Sequence, residues 1–441
     1  MIFRIYSINP NRLATAISGV ALTMGLAACA QQPTPTATTA TPGATPAAGT
    51  PGQTPIAAAP SRLNLAAPVT LTGAGASFPA PLYQRWFADF NKRNPNVQIN
   101  YQSIGSGAGV EQFTQGTVDF GASDVAMTDE EIAKVQRGVL LLPITAGSIV
   151  LAYNLPDVAE LRLPRQVYTD ILLGNIKTWN DPKIAAANPG VNLPNLPITV
   201  VYRSDGSGTT GVFTKHMSAI SPEWKTKVGE GKTVNWPTGV GAKGNEGVTA
   251  QVLQTTGAIG YIEYGYAKQN NVKFAALENK AGQFIVPTEE SAAKTLEAVT
   301  LPENLRAFIE DPEGEGSYPI VTYTWLLAYK QYPDAAKAQA MEAMIEYGLT
   351  EGQRVSAELG YVPLPPNVLQ RVATLAQDIS PDYKIEVAGA ATPTSPTGTT
   401  ATPGATPASP TDTTATPGAT PTSPAGTTTP GAISPSPAAT P

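Results

Sequence analysis

Strand-like and helix-like stretches alternate through the middle of this chain. Residues 81–94 place Leu82, Trp86 and Phe90 at four-residue steps, which predicts an amphipathic helix. Residues 97–101 alternate apolar and polar side chains, which predicts a strand. Similar patterns predict strands at 69–71, 148–153, 198–202 and 323–329, and helices at 110–115, 128–137, 209–220 and 335–347. Strands that alternate with helices indicate an α/β fold with mainly parallel strand pairing.

One predicted helix has a recognisable start. Thr128, followed three residues later by Glu131, forms the capping-box pattern, in which each side chain accepts a hydrogen bond from the other residue's backbone N–H. We therefore expect this helix to begin at Thr128 and to run to Arg137. The middle of the chain has no run of about 20 apolar residues, so we predict that it is a soluble domain.

The chain contains 42 Pro and 40 Gly among 441 residues, and this excess is concentrated at the two ends. The string ATPGATP begins at Ala40, at Ala401 and at Ala415. Such sequence has few apolar side chains to bury, so folding could not offset the entropy cost of ordering it. We predict a low-complexity linker at 29–67 and a disordered tail at 389–441, where the Thr and Ser content also permits O-glycosylation.

The N-terminus has the pattern of a secretory signal. Arg4 and Arg12 precede an apolar run that ends in LAAC at 26–29. This ending resembles a bacterial lipobox, so we expect a signal peptide at 1–28 and a lipid on Cys29. A transmembrane anchor is the alternative, although the run is short for a bilayer and precedes a spacer. Cys29 is the only cysteine, so we expect neither a disulfide nor thiol chemistry in the mature domain.

The formal net charge of −6 argues against a nucleic-acid partner, which would need a broad basic surface. A small anion needs only a local field and is compatible with this charge. Three segments suit such a ligand, namely GAGASFP at 73–79, GSGAG at 105–109 and RSDGSGTT at 203–210. Each is expected between a strand and a helix, where backbone N–H groups can bind an oxyanion. Taken singly, each is better explained as a plain turn or a helix cap.

Acids accompany the donors of these segments. Asp124 follows the sequence VDFGAS, and Asp205 lies two residues after Arg203. A carboxylate accepts a hydrogen bond only from a ligand that carries a proton, as monohydrogen phosphate does and sulfate does not, so Asp124 would select against sulfate. In the alternative interpretation, Asp124 caps a turn or a helix, and Asp205 only pairs with Arg203.

Five stretches, in colinear order between about residues 69 and 383, carry a family pattern. They are LTGAGASFPAP at 71–81, VDFGASD at 118–124, RSDGSGT at 203–209, WPTGVGAKGNEG at 236–247 and GAIGYIEY at 257–264. Together they resemble the phosphate-binding protein of the bacterial high-affinity phosphate ABC transporter. The resemblance implies a two-lobed periplasmic-binding-protein fold (type II-like), in which each lobe is a mixed, mainly parallel sheet flanked by helices. Phosphate would be held in the cleft between the lobes.

The resemblance also implies a set of phosphate-binding residues. Asp124 would accept the proton of the phosphate, and Arg203 would pair with the phosphate and with Asp205. Phe78 would donate through its backbone N–H, and the remaining residues would donate from hydroxyls or from the start of a helix. The implied set is Ser77, Phe78, Ser106, Asp124, Arg203, Asp205, Ser207, Gly208 and Thr209.

By position in the family, the chain would cross between the lobes near 147–149 and near 319–321. Lobe 1 would then comprise 69–146 plus 322–388, and lobe 2 would comprise 147–318. The resemblance implies that the lobes close around phosphate and that permease subunits of an ABC transporter receive it. We expect a monomer without cofactor or metal in the periplasm or cell envelope, held at a membrane through its lipid.

Two other functions stay open. An enzyme that hydrolyses phosphate esters could use Ser207 as nucleophile, but the only histidine, His216, lies about 13 Å further along the same predicted helix at ~1.5 Å per residue. A binding protein for another oxyanion, such as sulfate, molybdate or arsenate, is the second alternative. Asp124 argues against ions without a proton but cannot exclude arsenate, which carries the same proton as phosphate.

Overall fold

The computed structural model of the protein describes residues 62–387. The predicted signal peptide at 1–28, the predicted lipidation site at Cys29, most of the predicted linker and the predicted tail at 389–441 lie outside the described residues. Among the described helices, none combines the length and the apolar character that crossing a bilayer requires.

Helices and strands alternate along the described chain. The first part forms β1 (Val69–Gly75), α1 (Ala80–Arg93), β2 (Val97–Ser103), α2 (Ser106–Gln115), β3 (Phe120–Ser123), α3 (Asp129–Ile132) and β4 (Val139–Tyr153). The middle part forms β5 (Arg162–Leu163), α4 (Arg165–Leu172), α5 (Pro182–Ala187), β6 (Thr199–Arg203), α6 (Gly208–Ile220), α7 (Pro222–Lys227), β7 (Val240–Ala242) and α8 (Gly244–Gln254). The last part forms β8 (Ala258–Glu263), α9 (Tyr264–Gln269), β9 (Lys273–Phe274), β10 (Ala276–Glu278), β11 (Phe284–Ile285), α10 (Glu289–Glu297), β12 (Val321–Tyr329), α11 (Ala335–Leu349), α12 (Glu351–Leu359) and α13 (Pro366–Ala376). The predicted α/β class is confirmed.

Most of these strands form one mixed sheet of nine strands. Its order is β2-β1-β3-β12-β4-β8-β6-β7, and β9 pairs with β4. β1 is parallel to β2 and β3, and β6 is parallel to β7 and β8. β12 and β4 are antiparallel to their neighbours, so they join two parallel groups of strands. β11, β10 and β5 form a separate small sheet.

β4 is a long strand that pairs with different neighbours along its length and so connects the two parallel groups of the large sheet. Up to Ser148 it pairs with β12, and from Ile149 onward it pairs with β8. Val321 is the partner of Ser148, and the N–H of Ile149 donates to the carbonyl of Ile320 at 2.9 Å. The two chain segments predicted to cross between lobes therefore lie side by side. The lobe boundaries themselves stay a prediction.

The local predictions hold where apolar periodicity was strong. Leu82, Trp86 and Phe90 of α1 are all buried, as the amphipathic pattern predicted. The capping box is also confirmed, because Thr128 Oγ1 accepts from the N–H of Glu131 at 3.2 Å and Glu131 Oε2 accepts from the N–H of Thr128 at 2.9 Å. These are the positions at which a local signal and the tertiary structure agree.

Two helix boundaries differ from the prediction. α3 ends at Ile132 and not at Arg137, because none of its residues is fully buried and only Ile132 is an apolar side chain packed against the core, so packing supports little more than one turn. α2 begins at Ser106, before the predicted start at Val110. Its first turn consists of small residues that show no periodicity, yet they pack closely, since a Cβ on Gly109 would lie 2.3 Å from the Cα of Gly75.

Candidate functional site

The three Gly-, Ser- and Thr-rich segments lie where strands end and helices begin. Segment 73–79 leads from β1 to α1, segment 105–109 leads from β2 into α2, and segment 203–210 leads from β6 into α6. Asp124 directly follows β3. Because β1, β2 and β3 are parallel neighbours, their carboxyl ends meet at one edge of the sheet, where such folds place their ligands.

The second and third segments touch each other. The N–H of Gly107 donates to the carbonyl of Gly206 at 2.8 Å. A Cβ on Gly105, whose φ is +91°, would lie 2.4 Å from Asp205 Oδ2, and a Cβ on Gly208 would lie 2.3 Å from Ser106 Oγ. The two segments can approach this closely only because glycine occupies both positions.

Arg203 and Asp205 form a bidentate ion pair. Arg203 Nε donates to Asp205 Oδ1 at 2.8 Å and Arg203 Nη2 donates to Asp205 Oδ2 at 2.6 Å. Burial opposes ionisation of Asp205, but the hydrogen bonds and charge of Arg203 outweigh it and hold the pKa of that carboxyl below its ordinary value. The pair fixes the plane of the guanidinium, whose Nη1 donates to Thr209 Oγ1 at 3.4 Å.

Asp124 is a carboxyl group enclosed by hydroxyls. Thr324 Oγ1 donates to its Oδ1 at 2.9 Å, Thr209 Oγ1 donates to its Oδ2 at 3.3 Å, and its backbone N–H donates to Ser106 Oγ at 3.2 Å. Burial raises the pKa of Asp124 to about 7, although Thr324, Arg203 and Thr209 favour the ionised form. Near neutral pH this carboxyl is therefore partly ionised, and its ionised form can accept a hydrogen bond.

Ser77 meets Thr209 through a residue that the sequence did not single out. Asn245, in the first turn of α8, donates to Ser77 Oγ from its backbone N–H at 3.0 Å and from Nδ2 at 2.9 Å. Nδ2 also donates to Thr209 Oγ1 at 3.2 Å. These contacts connect the first and third segments by hydrogen bonds within the buried site.

Several backbone N–H groups of the site have no acceptor within residues 62–387. They belong to Phe78, Gly208 and Thr209, all three of which are buried. The last two open α6, where N–H groups lack intrahelical partners and the helix dipole favours an anion. Ser207 precedes them and caps the helix, since its Oγ accepts from the N–H of Thr210 at 3.0 Å. The predicted residues thus form one cluster of donors around one acidic acceptor.

Sequence reasoning missed two members of this cluster. Asn245 lies within the stretch at 236–247 that carried the family pattern, so that match was an available signal. Thr324 and Thr322 are polar residues two apart in an otherwise mostly apolar strand, which puts both on the same face. That alternation was visible in the sequence, but nothing in it indicated that the face points at Asp124.

Comparisons with known proteins agree with this architecture. A family model described as the PBP superfamily domain matches residues 35–350. The phosphate-binding protein PstS of Pasteurella multocida (strain Pm70) is 45% identical over 307 residues, covering 69% of this chain and 88% of that protein. The phosphate-binding protein PstS of Methanocaldococcus jannaschii is 39% identical over 326 residues, covering 68% of this chain and 84% of that protein.

Solved structures support the same fold. The phosphate-binding protein from Stenotrophomonas maltophilia has a TM-score of 0.57 at 19% identity, covering 69% of this chain and 93% of that one. At this identity the likeness concerns the fold alone, which is the predicted periplasmic-binding-protein fold. The family assignment rests on the closer sequence relatives. The chain belongs to the family of PstS phosphate-binding proteins within the PBP superfamily.

Proposed function

We propose that this protein binds inorganic phosphate at the cluster around Asp124 and delivers it to an ABC importer. The observation that carries the proposal is the chemistry of the cluster, in which one buried carboxyl acceptor, Asp124, lies among converging hydrogen-bond donors. Donors alone would suit any oxyanion, whereas a carboxylate among them requires an anion that brings a proton. Relatives named as phosphate-binding proteins support the same ligand.

Each predicted residue has a role in this proposal. Arg203 neutralises charge on the phosphate, and Asp205 orients its guanidinium. Ser106 and Ser207 already accept hydrogen bonds from backbone N–H groups, so their hydroxyl protons remain to be donated. The other donors are the Ser77 hydroxyl and the backbone or side-chain groups of Phe78, Gly208 and Thr209. Asp124 accepts the proton of monohydrogen phosphate.

Selection against sulfate follows from Asp124. With sulfate, an ionised Asp124 would face a second acceptor, and the buried unpaired groups would oppose binding. Sites whose buried polar groups depend on a ligand's proton can discriminate by factors of about 10⁴. Arsenate carries the same proton as phosphate, so this mechanism admits arsenate as well.

A hydrolase is the weaker alternative because of where the histidine lies. His216 is buried, and its ring nitrogens contact the Tyr168 hydroxyl at 2.8 Å and the carbonyl of Glu310 at 2.7 Å. Burial also lowers the pKa of His216 to about 4, which makes it a weak base. Because both ring nitrogens of His216 are hydrogen-bonded to other groups, His216 is not positioned to activate Ser207.

The proposal extends to the setting of the protein. A lipid on Cys29 would hold a monomer at a membrane facing the periplasm or cell envelope. Closure of lobe 1 (69–146 plus 322–388) on lobe 2 (147–318) would enclose phosphate and form the surface that permease subunits read. The pairing of β4 with β12 at Ser148 and Val321 supports a hinge there, because both crossing segments would bend together.

Calorimetry with inorganic phosphate, sulfate and arsenate tests the proposed function. At pH 8 we expect tight binding of phosphate and arsenate and at least about 1,000-fold weaker binding of sulfate. Sulfate binding as tight as phosphate binding would refute the role given to Asp124. Steady-state hydrolysis of a phosphate ester that disappears in Ser207→Ala would instead support the enzyme.

A further inference from the structure

Both acceptor positions of Ser77 Oγ are occupied by hydrogen bonds from within the protein. A hydroxyl has two acceptor lone pairs and one donor proton. Both lone pairs of Ser77 receive hydrogen bonds from Asn245, from the backbone N–H at 3.0 Å and from Nδ2 at 2.9 Å. Ser77 is buried, and no acceptor for its proton is found among residues 62–387. The hydroxyl can therefore only donate, and what it lacks is an acceptor.

Thr209 is constrained in the same way. Its Oγ1 accepts from Asn245 Nδ2 at 3.2 Å and from Arg203 Nη1 at 3.4 Å, so its proton is directed away from both. That proton goes to Asp124 Oδ2 at 3.3 Å. Asn245 thus acts on two hydroxyls at once, and in both it occupies lone pairs and leaves the proton free to donate.

The orientation of the Asn245 amide is itself determined. Oδ1 accepts from the backbone N–H of Glu263 at 2.9 Å, so the oxygen must face β8 and the NH₂ group must face the site. The side chain is fully buried, and both protons of Nδ2 are donated, one to Ser77 and one to Thr209. A flipped amide would place its single oxygen against the two hydroxyls and its NH₂ group against the backbone N–H of Glu263, where two donors would face each other.

We propose that Asn245 is a positioning residue that makes Ser77 and Thr209 obligatory hydrogen-bond donors, so that the site accepts only an anion or another pure acceptor there. The inference rests on the proposed function, since a phosphate oxygen is the acceptor that the Ser77 proton would meet, while the Thr209 proton is donated to Asp124 beside it. Asn245 contributes without touching the ligand, by removing the alternative in which the hydroxyls accept. Binding energy is gained because the donors are oriented before the ligand arrives.

Replacing the amide by a carboxyl of the same shape reverses this arrangement. In Asn245→Asp, Ser77 and Thr209 can turn their protons toward the new carboxylate, and the site loses two donors and gains a negative charge. We expect phosphate binding at pH 8 to weaken by about 100-fold or more. At pH 5.5 the new carboxyl takes up a proton and can donate again, so the ratio of variant to wild-type Kd should fall by about 10-fold.

Two further variants separate positioning from structure. Asn245→Ala leaves the hydroxyls free to rotate, so we expect a loss of about 10-fold in affinity with a Kd ratio that does not change with pH. Asn188→Asp is the matched control, because Asn188 is also buried and bonds backbone groups through Oδ1 and Nδ2 at Arg162, away from the site. It should bind phosphate as the wild type does.

The measurement is calorimetry with inorganic phosphate at pH 5.5 and pH 8, reported as the Kd ratio to wild type. The ratio cancels the titration of the phosphate itself. The charged and titratable groups that surround the site are the same in all the proteins, and they are Asp124, Arg203, Asp205, Glu246, Glu263 and Tyr266. The inference would be overturned if the phosphate Kd of Asn245→Asp lay within about threefold of the wild-type value at pH 8. It would also be overturned if Asn245→Asp and Asn245→Ala lost equal phosphate affinity at both pH values. If Asn245→Asp does not fold, unchanged binding in Asn245→Ala overturns it, and a pH-independent loss of about 10-fold supports it. A wild type that does not bind phosphate would refute the proposed function, and this inference with it.

Discussion

Thr324 donates a hydrogen bond of 2.9 Å to Oδ1 of Asp124, although 200 positions separate the two residues. β12 lies antiparallel beside β3 with Trp325 opposite Ser123, so the register brings Thr324 next to the first residue after β3. Thr322, on the same strand, reaches only the backbone carbonyl of Asp124, at 3.4 Å. β12 therefore supplies one hydroxyl that stabilises the carboxylate and a neighbouring hydroxyl that does not contact it.

Replacing Thr324 by valine should reduce discrimination against sulfate. Burial raises the pKa of Asp124, and the hydrogen bond from Thr324 is the largest influence that lowers it. Without that bond the pKa rises further, so more of the protein carries a neutral acid that can donate to sulfate. We expect the ratio of the sulfate Kd to the phosphate Kd at pH 7.5 to fall by about 10-fold. Thr322→Val is the control and should keep the wild-type ratio; equal ratios in all three proteins would contradict this account.

Sulfate binding by the wild type should depend on pH. Sulfate carries no proton between pH 5 and 8, so any change in its affinity over this range belongs to the protein. Above pH 7 Asp124 is mainly a carboxylate and opposes sulfate, and below about pH 7 it is mainly neutral and can donate. Calorimetric titrations should show sulfate affinity rising by up to about 10-fold per pH unit as pH falls toward 7, and levelling off below about pH 7, where Asp124 is mainly protonated. Asp124→Asn should bind sulfate equally across the range; a flat profile in the wild type would show that Asp124 is not the group that excludes sulfate.

Asp124→Asn should stabilise the protein without phosphate at alkaline pH. Burial raises the pKa of Asp124 from 3.8 to about 7, so the folded state binds this proton more tightly than the unfolded state does. The resulting stabilisation is complete below about pH 4 and is lost as pH rises through about 7. Asparagine stays neutral, so unfolding in urea should require more free energy than in the wild type at pH 8, by at most about 4 kcal/mol. The difference should shrink at pH 5. Glu342, whose pKa burial also raises, is common to both proteins and cancels.

The parts of the site that sequence could predict are those with local signals. Segments 73–79 and 203–210 each combine small residues with an adjacent apolar pattern, and β1, β6 and α6 lie beside them as expected. Parallel pairing, which the alternation of strands and helices already indicates, brings the carboxyl ends of β1, β2 and β3 together. Segment 203–210 follows β6, which belongs to the other parallel group and meets them only through the antiparallel strands β4 and β12. The lobe boundaries and the phosphate contacts remain predictions based on family resemblance.

The parts that could not be predicted depend on long-range register. Thr324 reaches Asp124 only because β12 lies between β3 and β4, an order that no local pattern encodes. Asn245 occupies the first turn of a helix, where a polar residue ordinarily indicates an exposed cap. It is buried instead because β8 and the loop carrying Ser77 cover it. In both cases the decisive neighbour is far away in the chain.

Arg203→Lys should weaken phosphate binding by about 100-fold. Lysine keeps the charge but loses the planar pair of N–H groups that meets both oxygens of Asp205, and with it the fixed direction toward the ligand. Arg165→Lys is a close control, because Arg165 also forms a bidentate pair, through Nη1 and Nη2 with Asp311 at 2.8 and 2.7 Å. It should retain wild-type affinity by calorimetry. An Arg203→Lys protein that binds within about threefold of wild type would show that charge alone suffices.

Gly105→Ala should weaken phosphate binding by disturbing the contact between segments 105–109 and 203–210. Gly190→Ala is the control for backbone strain alone. Both glycines have positive φ, +91° and +81°, so backbone strain from alanine should cost about 1 kcal/mol or more at either position. Nothing lies within 4 Å of a Cβ on Gly190, whereas a Cβ on Gly105 would lie 2.4 Å from Asp205 Oδ2 and 2.8 Å from the carbonyl oxygen of Gly206. The methyl group must therefore push the two segments apart and turn Asp205 away from Arg203. We expect Gly105→Ala to lose at least about 10-fold in phosphate affinity by calorimetry and Gly190→Ala to lose none. Equal affinities in the two variants would mean that phosphate binding does not require segments 105–109 and 203–210 to be in contact.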